Sequence, residues 1–150
     1  ACTRAQVVTF LWRTAGSPEP ESSYNPFWDV PKDAYYHDAV LWAAEEGITT
    51  GTSRTRFEPN ATVTRGQTVT FLWRWDGGPE TESRSTFRDV SAGAYYADAV
   101  SWAVEMGITN GTTAATFAPN QTCTRAQIVT FLYRDLRDVY EEDHEDYDYE

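Results

Sequence analysis

Thr64-Arg65-Gly66-Gln67-Thr68-Val69-Thr70-Phe71-Leu72-Trp73-Arg74 is written three times, with small changes, in this 150-residue chain. It returns as Thr124-Arg125-Ala126-Gln127 through Phe131-Leu132-Tyr133-Arg134, and it stands earlier as Thr3-Arg4-Ala5-Gln6 through Phe10-Leu11-Trp12-Arg13. The stretch reads as a helix with a marked start. Thr with Gln three positions on is a capping box: the hydroxyl accepts from one free backbone N–H and the amide reaches back to another. Val69, Leu72 and Trp73 then share one face, and Asp76-Gly77-Gly78-Pro79 ends the helix.

Working outward, the residues before each of the last two helices repeat as well. Phe27-Trp28-Asp29-Val30 returns as Phe87-Arg88-Asp89-Val90, and Gly47-Ile48-Thr49-Thr50-Gly51-Thr52 as Gly107-Ile108-Thr109-Asn110-Gly111-Thr112. Between these motifs, Tyr36, Val40, Ala43 and Ala44, and likewise Tyr96, Val100, Ala103 and Val104, recur at helical spacing. That predicts helices over 35–46 and 95–106, stopped by Gly47 and Gly107. Ile48, Phe57, Ile108 and Phe117 would pin the loops that follow. The second helices fall at about 3–14, 64–75 and 124–135.

The organisation is therefore mainly α, in helix–loop–helix units. Residues 1–16 are the second half of a first unit, 27–75 a second unit and 87–137 a third. Residues 17–26 and 76–86 are Pro-, Gly- and Ser-rich linkers, and 138–150 an acidic tail read as disordered. Leu136-Arg137-Asp138-Val139 at the head of that tail faintly echoes Phe-x-Asp-Val. A unit of this size cannot bury its apolar face alone, so neighbours must stack.

The net charge of −11 is concentrated at one end: eight acids lie within 138–150, leaving the body near −3. The basic footprint of a nucleic-acid binder is missing, and no apolar run approaches the ~20 residues of a membrane helix. Cys2 and Cys123 share one repeat position, where the middle unit has Val63. They read as buried free thiols, with a disulfide between repeats as the alternative, and they lack metal-ligand spacing. No cofactor or metal is called for. Asp29, Asp33, Asp38, Glu45 and Glu46 do not make a catalytic pair: Asp33 is replaced by Gly93, and no Ser or Cys nucleophile has a His partner in its motif. The reading is not an enzyme.

The arginine in each capping box is the sharpest candidate for a site. Arg4, Arg65 and Arg125 sit in the first turn of a helix, where a cation opposes the dipole by about 0.3–1 kcal/mol. One explanation is a salt bridge to Asp29 or Asp89. The other is an anion site in which the helix N-terminus and the guanidinium act together on a carboxylate or phosphate. Trp28, whose counterpart is Arg88, reads as an exposed aromatic able to stack on a sugar ring.

Phe-x-Asp-Val, Tyr-Tyr-x-x-Ala-Val, Gly-Ile-Thr-x-Gly-Thr, Phe-x-Pro-Asn and Thr-Arg-Ala-Gln, ending in Phe-Leu-Trp-Arg, together resemble the S-layer homology (SLH) repeat over residues 1–16, 27–75 and 87–134. The resemblance implies units packed about a pseudo-threefold axis, here with an incomplete first repeat. It also implies an extracellular module on the bacterial cell surface, carried by a larger parent polypeptide. The ligand implied is an acidic, often pyruvylated secondary cell-wall polysaccharide, bound by Arg4, Arg65 and Arg125. Gly47, Gly51, Thr52, Gly107, Gly111 and Thr112 are the loop positions carried over. Gln replaces the motif's Glu in every copy, and Gly66 replaces Ala in the middle one. A structural or protein-interaction module without glycan binding is the alternative.

Overall fold

The structure is a computed structural model that describes the backbone of residues 1–145 and the side chains of residues 1–137. Five helices make up the described chain: α1 (Arg4–Thr14), α2 (His37–Glu45), α3 (Arg65–Trp75), α4 (Ala97–Glu105) and α5 (Arg125–Glu145). Extended pairing among the described residues is limited to two isolated antiparallel bridges, Thr3 with Thr62 and Thr64 with Thr122.

The capping boxes form as read. Thr3 Oγ1 accepts from Gln6 N–H while Gln6 Oε1 accepts from Thr3 N–H, at 3.1 and 2.9 Å. Thr64/Gln67 and Thr124/Gln127 repeat both bonds. The first helices begin two residues later than the periodicity predicts, because Tyr36 and Tyr96 stay in a turn and supply no side-chain cap. Gly47 and Gly107 follow them with φ of +72° each, the left-handed backbone that ends a helix.

α5 departs from the reading. It runs through Glu145, so residues 138–145 are helical where a disordered tail was expected to begin. The reason is punctuation. Gly16 and Gly77-Gly78 stop α1 and α3, whereas Leu136-Arg137-Asp138-Val139-Tyr140-Glu141 contains no Gly or Pro. Leu136 thus packs against the core from a helix and is no Phe-x-Asp-Val anchor. The rest of the tail, 146–150, lies outside the described residues.

The core joins all three units. α2 packs on α1, and α4 on α3. Val8, Val40, Val69, Val100, Ile48, Phe57, Ile108 and Phe117 are fully buried. Val104, expected in the core, is 37% exposed, since it falls on the outer edge of α4. Phe71 and Phe131, which the single-face reading of the second helices passed over, are buried. Gly66 has a packing reason: a Cβ there would lie 3.1 Å from Pro119 O and from the Tyr96 ring.

At the centre, three equivalent residues close a ring of backbone hydrogen bonds. Val63 N–H donates to Cys2 O (2.9 Å), Cys123 N–H to Val63 O (2.9 Å) and Cys2 N–H to Cys123 O (3.4 Å). The two cysteines are buried and free, and burial pushes the Cys123 thiol up from its ordinary value. The linkers are tied down. Trp12 and Trp73 donate Nε1–H to Pro18 O and Pro79 O, and the Glu45 carboxylate accepts from Glu21 and Ser22 N–H.

Candidate functional site

Each loop between a first and a second helix is stitched to the start of its own unit. Asp29 accepts from Phe57 and Glu58 N–H at 2.9 and 2.8 Å, and Asp89 from Phe117 and Ala118 N–H at the same distances. Burial raises the Asp89 carboxyl, but these backbone donors outweigh it and hold the group below its ordinary range. The aspartates are therefore loop clamps. Neither pairs with an arginine, which removes the salt-bridge explanation offered for Arg4 and Arg65 among the described residues.

The loops in turn cap the helices. Arg4 and Ala5 N–H donate to Ala61 O and Pro59 O, and Arg65 and Gly66 N–H to Gln121 O and Pro119 O, all at 2.9–3.0 Å. The N-terminal donors of α1 and α3 are thus taken, so they cannot bind an anion together with the guanidinium. Other carbonyls of the same loops explain why a cation is tolerated there. Arg4 Nε–H donates to Phe57 O at 2.8 Å and Arg65 Nε–H to Phe117 O at 2.8 Å. The Arg4 guanidinium lies 4.7 Å from the Phe57 ring centre and 5.4 Å from that of Phe71. Arg65 sits 4.6 Å from Phe117 and 5.3 Å from Phe131. Both arginines are about 96–97% buried, with exposures of 4% and 3%. Desolvation pushes both below the ordinary guanidinium range, yet arginine stays charged in proteins.

These arginines form one wall of two grooves. The first, of about 380 Å³, is lined by Arg4, the loop Thr49-Thr50-Gly51-Thr52, and Gln67, Thr70, Phe71 and Arg74 of the second unit, with Tyr95 of the third. Among the described residues Arg4 hydrogen-bonds through Nε alone, so its Nη donors remain for a ligand. Arg74 Nη1–H leans on Ile48 O at 3.4 Å. The second groove, of about 350 Å³, repeats the set with Arg65, Thr109, Asn110, Gly111, Gln127, Thr130, Phe131 and Arg134. Arg125 is exposed and belongs to a third, wider opening of about 490 Å³.

The carried-over positions thus divide. Arg4, Gly51 and Thr52 meet in one groove, and Arg65 and Gly111 in another. Gly51 and Gly111 have φ of +81° and +89°, and a Cβ on either would come within 2.5–2.6 Å of Phe27 or Phe87. Their part is to bring the loop against that ring. Gly47 and Gly107 end helices, and Thr112 donates its hydroxyl to Thr116 O as Thr52 does to Arg56 O. Trp28 lies outside the grooves, 72% exposed, with the Arg56 guanidinium 5.1 Å from its ring centre. Arg74, Thr70 and Tyr95 were missed in the sequence. Their signal was available: Arg13/Arg74/Arg134 and Thr9/Thr70/Thr130 recur in all three helices.

Comparison with known proteins agrees with the geometry. Residues 26–69 and 86–129 match the model of the S-layer homology domain, more than half of the chain. An endoglucanase of Bacillus sp. (strain KSM-635) is 34% identical over 121 residues, 81% of this chain and 13% of that protein. The surface-layer 125 kDa protein of Lysinibacillus sphaericus is 34% identical over 65% of this chain and 8% of its own length. A cell surface protein of Thermoanaerobacter kivui is 31% identical over 88% of this chain and 18% of its own. The chain thus spans less than a fifth of each of these relatives. Helix–loop–helix repeats, their motifs and the matches over both full units agree: the chain belongs to the S-layer homology domain family.

Proposed function

We propose that this chain is a non-covalent anchor that holds a larger polypeptide on the bacterial cell wall by binding an acidic secondary cell-wall polysaccharide, with pyruvate ketals as its fitting acidic groups. The observation that carries the reading is the Arg4 groove. It unites two guanidinium groups, Arg4 and Arg74, with hydroxyls of Thr49, Thr50, Thr52 and Thr70, the Gln67 amide and the Tyr95 phenol. Its volume suits a sugar-sized ligand. Arginine matches a carboxylate bidentately, while hydroxyls and amides suit the rest of a sugar.

Preorganisation supports affinity. The Arg4 stem is fixed by Nε and two aromatic rings, so little side-chain freedom remains to be lost on binding. Tyr95 is 59% exposed at the rim and can stack on a ring. The relatives' names, from surface-layer protein to endoglucanase, fit a module shared by surface proteins of different activity, located at the cell surface. The chemistry of such a parent belongs to its other parts; this chain's part is binding. The Cys2–Val63–Cys123 ring supports a pseudo-threefold axis through the centre of the units.

The test is a pull-down on purified cell walls, intact and stripped of polysaccharide. Intact walls should retain the chain, and stripped walls should not. Arg74→Gln and Tyr95→Ala should each weaken retention, the former about tenfold or more for a lost charged hydrogen bond worth ~1.5–3 kcal/mol. Equal retention on both walls, or normal binding by both variants, would refute the reading.

A further inference from the structure

The second and third units serve as each other's control. Where the fold sets a side chain, both carry it: Phe27 and Phe87, Asp29 and Asp89, Phe57 and Phe117. Between these fixed points the units part. The second has Trp28 and the loop Ser53-Arg54-Thr55-Arg56, where the third has Arg88 and Thr113-Ala114-Ala115-Thr116. The backbone does not require the difference, because its bonds are the same in both. Trp28 N–H donates to Thr55 O at 3.1 Å and Arg88 N–H to Ala115 O at 3.0 Å, while Thr52 and Thr112 N–H donate to Arg56 O and Thr116 O, each at 2.9 Å. Packing does not require it either. Trp28 is 72% exposed, and Arg54 and Arg56 are exposed as well.

What the second unit gains is an outward aromatic–cation pair on a fixed backbone. Trp28 stands between Phe27, buried against Phe57, and Asp29, whose carboxylate clamps Phe57 and Glu58 N–H. The Arg56 guanidinium lies over the Trp28 ring, 5.1 Å from its centre, and so covers one face of the indole and leaves the other open. One loop joins this pair to the Arg4 groove. Gly51 and Thr52 line the groove. Thr52 gives both its N–H and its hydroxyl to Arg56 O, and a Cβ on Gly51 would meet Arg56 O and the Phe27 ring at 2.5 Å. A polysaccharide is longer than a groove of about 380 Å³, so a chain seated there leaves it over a neighbouring surface. We propose that Trp28 and Arg56 form an outer subsite of the Arg4 groove that binds the next sugar of the same acidic polysaccharide. The open indole face stacks on the apolar face of the sugar ring, and the Arg56 guanidinium donates to its hydroxyl or carboxylate oxygens. Because the Trp28 backbone is already held, little freedom is lost on binding. The Arg65 groove lacks this extension, since Arg88 and Thr116 take the same places. The inference rests on the glycan reading of the Arg4 groove and adds the direction in which the chain leaves it.

The test is calorimetric titration of the full chain with polysaccharide released from purified cell walls, as long fragments and as the shortest fragments that still bind. Trp28→Ala removes an exposed ring, and Arg56→Thr installs the residue that the third unit carries. Both variants should melt within about 1–2 °C of the unmodified chain. Each should weaken the binding of long fragments roughly three- to tenfold, the scale of one aromatic stacking contact, and leave the shortest fragments unaffected. Trp28→Tyr should keep most of the long-fragment affinity. Arg74→Gln, inside the groove, should weaken long and short fragments alike. Normal long-fragment binding by Trp28→Ala, beside weak binding by Arg74→Gln, would overturn the outer subsite and leave the groove standing. Equal losses on long and short fragments for Trp28→Ala would also overturn it. Failure of the unmodified chain to bind either fragment would remove the groove reading and the subsite with it.

Discussion

Replacing Arg65 with alanine should destabilise the fold, and replacing Arg125 should not, although the two arginines occupy the same position of the same motif. Arg65 Nε–H bonds Phe117 O at 2.8 Å in a buried setting, and its guanidinium lies over two rings. A hydrogen bond from a charged donor contributes about 1.5–3 kcal/mol, and its loss leaves a buried carbonyl unsatisfied. Two desolvated cation–π contacts add about 1–2 kcal/mol together. Against this, the variant escapes the cost of burying a cation and gains about 0.3–1 kcal/mol from removing a charge that opposes the helix dipole. The net expectation is a loss of about 2–3 kcal/mol, or roughly 5–10 °C in Tm for a chain of this size. Arg125 has none of these partners, so its loss should stay within about 0.5 kcal/mol. Parallel thermal melts of the two variants decide it. Equal shifts, or a larger one for Arg125→Ala, would refute the claim that Arg65 is a structural wall of its groove. The same result decides how to probe binding: Arg74 and Tyr95 report on the groove with less damage to the fold.

Gly51→Ala should cost about 2–4 kcal/mol, because it combines a φ of +81° with a Cβ 2.5 Å from Phe27 Cε1 and from Arg56 O; Gly77→Ala, at +89° with open space around it, should cost about 1–2 kcal/mol by urea titration. Asp89 is held below its ordinary pKa in the folded chain, so its contribution is present above the unfolded value near 3.9 and is lost as pH falls through the folded one. The melting temperature should therefore drop as pH is lowered beneath about 4, and Asp89→Asn should lower it at neutral pH and flatten that acid limb. Gln67→Ala breaks the reciprocal cap of α3 and should reduce stability by about 0.5–2 kcal/mol in chemical denaturation.

The parts of the fold that were legible in the sequence are those fixed by neighbours along the chain. Thr64 and Gln67 are three residues apart and cap one another wherever the helix goes. Gly47 ends α2 by its own backbone freedom. The end of α5 was not legible, since a stop was assumed where no stop residue stands. Burial of Phe71 was also hidden: it falls off the main apolar stripe and is covered by Arg4 from another unit. Glu45, which in the sequence offers only a carboxylate without a catalytic partner, grips the linker backbone, a role visible only once the chain has turned back on itself.

The arginines show where repetition itself misleads. Identical motifs suggest identical roles, yet a residue in a stacked array takes its role from the unit beside it. Arg4 and Arg65 meet a Phe-x-Pro-Asn loop, which supplies a carbonyl to Nε, rings to the guanidinium and caps to the helix N-terminus. That loop consumes the helix donors that an anion site at the helix N-terminus needs, and it leaves the Nη groups in their place. Arg125 meets no such loop among the described residues, and the same side chain stands exposed at the rim of an opening. The consequence for binding is uneven. Only the Arg4 groove combines a buried arginine, a complete Thr-x-Gly-Thr loop and a tyrosine from the next unit. The Arg65 groove has the arginine and the loop only as far as Gly111, and the Arg125 opening has the arginine and Tyr35 without a loop. On the proposed reading, the Arg4 groove is therefore the stronger of the two buried-arginine sites.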